Sequence, residues 1–335
     1  MAQISPYPTP TPAPWPATGF QRGMVYSSWD GSYPHREAWS EHLDRFEQLG
    51  ITWLEVMTFA EQPDINAPQI RTMPPSRWPS AFVTEARARG FKILLKPHVW
   101  SRQFYDGSKR WRGSIQLPDD AAYAQWFAQY EQFILAEARL AAQHGVEMFS
   151  VGLEYVEITR TQGPRWRNLV KKIRAVYPGL LTYSADGNHE AAHVDFWDTL
   201  DVIGVNAYFQ ISKTPSPTLE IMRQGWQPHV QRLKALSEKW ARPIVFTEAG
   251  FASTADAPVQ PWQWPSKTAA PDLETQRRGY ESLFEACTGQ KWCQGVFLWK
   301  WYEVPEKDTP HGVDYTPRDK PAEHVLKRWY RRESQ

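Results

Sequence analysis

Eight short apolar runs, separated by longer amphipathic stretches, constrain the fold of this sequence more than any other feature. Such a succession is typical of repeated βα units. The runs are apolar throughout rather than alternating, which indicates strands buried on both faces, as in a parallel sheet covered by helices. The predicted strands are Gly23–Ser27, Thr52–Phe59, Lys92–Val99, Met148–Leu153, Leu180–Ser184, Val202–Asn206, Ile244–Thr247 and Gly295–Trp299.

The stretches between these runs have the pattern of helices. Gly50, Gly90 and Gly145 each follow such a stretch and precede a strand, where a left-handed residue commonly ends a helix. The fifth connection, around His193–Thr199, is short. The predicted helices are Arg36–Leu49, Ser76–Arg89, Ala121–His144, Arg165–Val176, Leu219–Trp240, Glu274–Ala286 and Pro321–Tyr330.

Eight parallel strands with intervening helices predict a (β/α)8 TIM barrel, a single domain over residues 19–335. The length of 335 residues fits one such domain. A doubly wound open sheet is the alternative. No GxGxxG motif or P-loop follows any of the predicted strands, so the phosphate chemistry usual for that fold has no support.

The composition indicates which kinds of molecule this protein can bind. The chain is 41% hydrophobic and 22% charged, as in ordinary globular proteins, and no apolar run approaches the roughly 20 residues of a membrane span. A net charge of +1 provides no field to attract nucleic acid or anionic lipid. The 18 Trp residues either fill a large core or stack on the C–H faces of sugar rings, which makes a carbohydrate the first expected partner.

Residues 1–18, MAQISPYPTPTPAPWPAT, lack the basic start and apolar core of a signal peptide. They have the composition of a Pro/Thr-rich linker that tethers an exported domain, so we expect an extracellular or otherwise exported protein. A cytoplasmic protein with an unusual N-terminus is the alternative. Cys287 and Cys293 are close enough in sequence to form a disulfide if their geometry allows it.

Two carboxylates end apolar strands where a TIM barrel builds its active site. Glu154 follows the fourth predicted strand in FSVGLEY, and Glu248 follows the seventh in IVFTEAGF. Burying a Glu there is costly unless its charge is paired or used. The two strands face each other across the barrel mouth, and carboxyl groups about 5 Å apart would cleave a glycosidic bond with retention of configuration. Glu157 is a rival for the acid role, but lies beyond the strand.

Polar and aromatic residues at or near the ends of other strands suit a sugar site. Trp can support a pyranose ring, and Tyr, His, Asn or Lys can hydrogen-bond its hydroxyls; for His98 a structural role is the alternative. The nine His residues form neither HExxH nor a His/Cys cluster, so we predict no metal, and acid/base chemistry with a nucleophile requires no cofactor. The candidate residues are Trp29, Lys96, His98, Trp100, Asn206, Tyr208, Trp299 and Trp301.

The segments RGMVYSSW, LLKPHVW, WRGSI, VGLE, FWDTLDVIGVNAY, FTEAGF and VFLWKW, in this order, resemble glycoside hydrolase family 113 of clan A. The similarity spans roughly residues 19–331, and described members of the family are retaining β-1,4-mannanases. The resemblance implies that Glu154 is the acid/base and Glu248 the nucleophile. It also implies contacts with the sugar nearest the cleavage point from Trp29, Trp111, Arg112, Tyr208 and Trp299.

The sequence departs from the clan at one position. Many clan A enzymes have Asn directly before the acid/base Glu, where it hydrogen-bonds the sugar 2-hydroxyl, whereas this chain has Leu153. That interaction is therefore absent here or is supplied by another residue.

The leading hypothesis is a monomeric, retaining, endo-acting glycosidase that cleaves a β-1,4-linked mannose-containing polysaccharide: mannan, glucomannan or galactomannan. A transglycosylase, an exo-acting enzyme, or an enzyme for another β-glycan are alternatives. A non-catalytic carbohydrate-binding barrel is another, although binding alone does not require the carboxylate pair. The loop Ala252–Pro271, with Trp262 and Trp264, either extends a binding platform or packs on itself as a surface loop.

Overall fold

The computed structural model describes residues 19–28, 33–72, 78–104, 110–266, 268–304 and 312–332. Eight parallel strands form a closed barrel, because β1 (Gln21–Ser27) pairs with both β2 (Trp53–Glu61) and β9 (Cys293–Tyr302). A two-residue strand, β3 (Arg71–Thr72), was not predicted and pairs antiparallel with the end of β2 outside the barrel. The strands are β1 (Gln21–Ser27), β2 (Trp53–Glu61), β3 (Arg71–Thr72), β4 (Lys92–Trp100), β5 (Met148–Leu153), β6 (Leu180–Asp186), β7 (Ile203–Asn206), β8 (Ile244–Ala249) and β9 (Cys293–Tyr302).

Helices surround the barrel and connect consecutive strands. The predicted helices are confirmed with end shifts of a few residues, and the predicted start at Ser76 lies outside the described residues. The short fifth connection contains a 3-10 turn, Trp197–Thr199, in place of a helix. The helices are α1 (Arg36–Leu49), α2 (Ser80–Ala88), α3 (Asp120–Gln143), α4 (Val156–Thr161), α5 (Gly163–Arg174), α6 (Leu219–Trp240), α7 (Leu273–Cys287) and α8 (Pro321–Arg332).

The predicted single-domain (β/α)8 barrel is therefore confirmed, and the open doubly wound sheet is excluded. The three glycines expected to end helices have left-handed backbones, with φ of 81° at Gly50, 90° at Gly90 and 65° at Gly145. At Gly50 the backbone N–H donates to the carbonyl of Glu47, which satisfies a free acceptor at the end of α1. Residues 1–18 and Trp29 lie outside the described residues, so the predictions made for them stay predictions.

Two apolar layers hold the fold together. The inner layer fills the barrel with side chains such as Trp53, Leu94 and Phe297. The larger outer layer lies between the strands and the helices. Several Trp residues belong to this outer layer. They fill the core, which is one of the two interpretations of the high Trp content given above. The fully buried ones include Trp126, Trp166, Trp197 and Trp301.

A disulfide joins Cys287, the last residue of α7, to Cys293, the first residue of β9, with 5.4 Å between their Cα atoms. The predicted possibility of this bridge is thus confirmed. Within the described ranges, no helix is both long and apolar enough to cross a membrane. In the same ranges, no group of three or more His, Cys, Asp or Glu side chains is arranged to hold a metal ion.

Candidate active site

Glu154 lies at the turn between β5 and α4, at the carboxyl end of the barrel. Its backbone is left-handed, with φ of 50°, a conformation that costs energy for a residue with a side chain and occurs often at functional sites. Its N–H donates to the carbonyl of Ser184 on the neighbouring β6 at 3.0 Å, which fixes the turn. The sequence FSVGLEY thus folds so that the strand stops where the carboxylate begins.

Two side chains hold the carboxylate of Glu154. Asn206 Nδ2 donates to Oε1 at 2.7 Å, and Arg112 Nη1 donates to Oε2 at 2.9 Å. Burial raises the pKa of Glu154; Arg112 opposes the rise, Glu248 and Asp186 add to it, and the bond from Asn206 opposes it. The net result is a carboxyl group that retains its proton to higher pH than an ordinary Glu.

Glu248, in β8, has a different set of partners. Its Oε1 lies 2.5 Å from Lys96 Nζ, and its Oε2 accepts a hydrogen bond from the hydroxyl of Tyr208 at 2.9 Å. Burial and the nearby Glu248 raise the pKa of Tyr208 well above its ordinary value, so this hydroxyl keeps its proton and donates. An ammonium and a phenol thus stabilise negative charge on Glu248.

Lys96 lies between two carboxylates inside the barrel. Its Nζ is 2.5 Å from Glu55 Oε1 as well as from Glu248 Oε1, and neither Lys96 nor Glu55 has exposed side-chain surface. Burial raises the pKa of Glu55 to about 8 against the effect of Lys96. Burial alone would lower the pKa of Lys96, but Glu248 and Glu55 outweigh it and the pKa is raised. Lys96, predicted to contact sugar, thus contacts both carboxylates inside the barrel.

Asn206 connects the surroundings of the two strand-end carboxylates. Thr247 Oγ1 donates to Asn206 Oδ1 at 2.9 Å, which orients the amide so that its Nδ2 faces Glu154. Asn206 is also the register partner of Glu248 between β7 and β8. The position expected from the clan is occupied by Leu153, which is fully buried in the outer apolar layer. An Asn contact to Glu154 therefore comes from β7.

His98 and Arg112 extend this network. Arg112 Nη2 lies 3.4 Å from His98 Nδ1, and since guanidinium only donates, Nδ1 accepts and the imidazole proton is on Nε2. Burial, followed by the charges of Arg112, Lys96 and Lys300, lowers the pKa of His98, which keeps the ring neutral. Among the described residues, Nε2 has no hydrogen-bond partner. The Nε2–H of His98 is therefore a buried donor whose acceptor is not among the described residues.

Trp111 and Trp100 are both half-buried. Trp111 precedes the 3-10 turn Arg112–Ser114, and a Cβ on Gly113 would come within 2.4 Å of the Trp111 ring, so only glycine allows this packing. The Trp100 ring meets Phe104 edge-on at 5.8 Å.

A cavity of about 460 Å³ opens beside Trp111. Gln116, Arg160 and His189 are among the side chains that line it. Glu157, the rival acid, also lines this cavity and pairs with Arg160 at 3.3 Å. A larger cavity, about 520 Å³, lies at the opposite end of the barrel, where the strands begin.

Trp299 and Trp301 lie on different sides of β9. The pairing of β9 with β1 shifts by one residue just before Trp301, which interrupts the alternation of side chains. Trp299 is half-buried and packs against the inner layer. Trp301 is fully buried, with its ring 5.1 Å from Phe46 and 5.9 Å from His42 of α1. The prediction that Trp301 contacts sugar is therefore corrected: it packs β9 against α1.

The sequence of this chain matches the model of a known protein family. The model for Glycoside Hydrolase Family 113 matches residues 24–320. The chain belongs to this family. No curated protein sequence matches it significantly.

Solved structures agree with the family 113 assignment. A structure described as a complex of a GH113 β-1,4-mannanase is 28% identical, with a TM-score of 0.79, over 93% of this chain and 99% of that one. The GH113 β-mannanase AaManA from Alicyclobacillus acidocaldarius, in complex with ManMIm, is also 28% identical, with a TM-score of 0.79, over 94% and 98% of the two chains. The protein is therefore a glycoside hydrolase of mannanase-like type.

A more distant likeness concerns the fold alone. The β-glucuronidase of Ruminococcus gnavus matches 93% of this chain and 50% of its own, with a TM-score of 0.65 and 14% identity.

Proposed function

We propose that this protein is a retaining, endo-acting hydrolase of β-1,4-linked mannose-containing polysaccharides. One observation carries the mechanism: two buried carboxyl groups stand at the ends of β5 and β8, and each is held by one cation and one neutral donor. Burial raises the pKa of Glu154, which suits a proton donor. Lys96 and Tyr208 hold Glu248 with a cation and a hydroxyl, which suits an ionised nucleophile. A carboxyl group that retains its proton, beside a second carboxyl group held by a cation and a hydroxyl, suits the pair to the roles of acid and nucleophile.

In the first step, Glu154 gives its proton to the glycosidic oxygen while a carboxylate oxygen of Glu248 attacks the anomeric carbon. The bond from that carbon to the leaving oxygen breaks, and a covalent glycosyl ester on Glu248 results. In the second step, ionised Glu154 takes a proton from water, the water oxygen attacks the same carbon, and the ester bond to Glu248 breaks. Two inversions give overall retention.

The substrate class rests on the family and on the donors of the site. Two GH113 structures similar to this chain are described as β-1,4-mannanases. His98 Nε2 is a buried donor able to bond a sugar hydroxyl, and the half-buried Trp299 can support a pyranose ring. Tyr208 and Arg112 lie next to the carboxylates, where the sugar at the cleavage point would lie.

The test combines substrate and stereochemistry. Wild type and Glu248→Gln are incubated side by side with linear mannan, galactomannan, glucomannan, cellulose and xylan, and reducing ends are measured. We expect release from the mannose-containing polymers by wild type only, with internal cleavage seen as a rapid fall in viscosity. Proton NMR of the first product should show the β-anomer; an initial α-anomer, or a fully active Glu248→Gln variant with a normal melting curve, would contradict the proposal.

A second variant separates the roles of the two carboxyl groups. Glu154→Ala should be nearly inactive on polysaccharide but should retain activity on an aryl glycoside whose leaving group needs no proton. Added azide should raise that activity and give a β-glycosyl azide. An equal loss of activity on both substrates would show that Glu154 is not the acid.

Two further statements belong to the proposal. The disulfide between Cys287 and Cys293 supports an exported protein, since such bonds persist in oxidising compartments. We also propose a monomer. Fractionation of the source cells and light scattering of the purified protein test these two points.

A further inference from the structure

The segment after β8 carries exposed Trp side chains. Trp262 is 52% exposed and Trp264 is 37% exposed, and these are two of the four exposed large hydrophobic residues among those the structure describes. Leaving an indole ring in water is costly, and neighbouring exposed aromatic residues commonly mark a surface that binds a ligand.

This segment is held in place by the rest of the barrel. The hydroxyl of Tyr315 donates to the carbonyls of Pro261, at 2.6 Å, and Gln263, at 3.0 Å. The carbonyl of Pro258 accepts the N–H of Ile211 at 3.0 Å. A ring presented on a fixed backbone loses little conformational entropy when a ligand stacks on it.

Aromatic contacts connect Trp264 with the site already described. The Trp264 ring meets Tyr315 edge-on at 5.2 Å, and Tyr315 meets Tyr208, the donor to the nucleophile, edge-on at 6.4 Å. Lys300 Nζ lies 5.0 Å from the Trp264 ring and 4.9 Å from the Trp299 ring. One ammonium group is thus flanked by the expected platform of the cleavage point and by Trp264.

We propose that Trp264 is a stacking platform for a second sugar residue of the same polysaccharide chain, next to the sugar at the cleavage point. The proposal rests on the proposed function, since it takes the substrate to be a β-1,4-linked chain. Lys300 and Tyr315 lie against the Trp264 ring, and the exposed part of Trp264 is available to the C–H face of a pyranose. Trp262 is more exposed but has no such connection to the site among the contacts described, and so is not part of the platform.

The experiment compares Trp264→Ala, Trp264→Phe and Trp262→Ala on a long and a short substrate. The long substrate is a β-1,4-linked mannohexaose, and the short one is β-mannosyl fluoride, which has one sugar and a leaving group too small to reach a neighbouring sugar position. For Trp264→Ala we expect KM for the hexasaccharide to rise about tenfold or more, as for loss of a large aromatic contact, while kcat/KM on the mannosyl fluoride stays within about twofold. Trp264→Phe should retain most of the affinity.

Trp262→Ala is the matched control, being a Trp of the same segment, and its kinetics should stay within about twofold of wild type. A Trp264→Ala variant that loses nothing, or that loses equally on both substrates, overturns the proposal. An equal loss in Trp262→Ala overturns the assignment to Trp264.

The failure of the proposed function would look different. In that case wild type cleaves none of the polymers, and retardation of the same variants in native gels containing each polysaccharide tests the platform. Retarded wild type and Trp262→Ala with unretarded Trp264→Ala support the platform. Equal migration of Trp264→Ala and wild type in every gel overturns it.

Discussion

Replacing Lys96 with Met removes the cation shared by Glu55 and Glu248. The ammonium lies 2.5 Å from an oxygen of each carboxylate, and Lys96 has no exposed side-chain surface, so water cannot replace it without rearrangement. Removing one partner of a buried ion pair typically costs about 3–5 kcal/mol, out of the roughly 5–15 kcal/mol that stabilises a folded protein. Because burial raises the pKa of Glu55 to about 8, that carboxyl is largely neutral at pH 7, and one uncompensated charge remains. We therefore expect the unfolding free energy to fall by an amount near the lower end of this range, about 3 kcal/mol.

The assay is urea unfolding at pH 7, together with turnover on mannan at the same pH. Turnover should fall about 10²- to 10³-fold, as when a preorganised electrostatic partner is removed. Glu55→Gln is the control: it keeps the Lys96 contact with Glu248 and resembles the neutral form of Glu55, so at pH 7 its unfolding free energy should stay within about 1 kcal/mol of wild type.

The pH dependence of stability gives an independent check on Glu55. Its folded pKa lies above the ordinary value, so the native state holds a proton that the unfolded state has released. The free energy of unfolding therefore falls as pH rises towards about 8, and this fall should be smaller in Glu55→Gln. The reasoning is refuted if the unfolding free energy of Lys96→Met stays within about 1 kcal/mol of wild type and its turnover falls less than about tenfold.

Three further predictions concern other parts of the chain. Arg112→Met should move the alkaline limb of kcat/KM to higher pH, since Arg112 lowers the pKa of Glu154; an unmoved limb would contradict the assignment of that limb to Glu154. Reducing the bridge between Cys287 and Cys293 should lower the unfolding free energy by about 2 kcal/mol in denaturant titrations, as expected for so short a loop, and unchanged stability would show that the bridge does not constrain the unfolded chain. Burial raises the pKa of Glu137 to about 7, so Glu137→Gln should reduce the fall of stability between about pH 4.5 and 7; an equally steep fall would mean that another group titrates there.

The barrel was predictable because its determinants are local. Strands buried on both faces appear as apolar runs, and glycine ends helices, so the strands and the ends at Gly50, Gly90 and Gly145 follow from sequence alone. The two carboxylates followed from position, since the carboxyl ends of parallel strands meet at one end of a barrel.

What could not be predicted depends on contacts between strands. Glu55 was visible as a lone carboxylate within TWLEVMTF, but its pairing with Lys96 follows from the barrel, not from local pattern. The contact of Arg112 with Glu154 comes from a loop, and only the family resemblance pointed to it. Three further residues were not predicted, because each acts through a neighbouring group. Thr247 orients the Asn206 amide, Lys300 lies against two Trp rings, and Tyr315 holds the loop after β8.

Trp301 shows how one extra residue in a strand can make a prediction from side-chain alternation wrong. Strict alternation along VFLWKW places both Trp residues on one face, whereas the register shift in β9 places the second on the other. For protein engineering, this shift makes β9 a poor place to exchange segments between related barrels by simple alignment. A donor strand of the same length without the register shift would direct its last Trp into the barrel interior and leave a void against α1. Chimeras should therefore exchange β9 together with α1 as one unit.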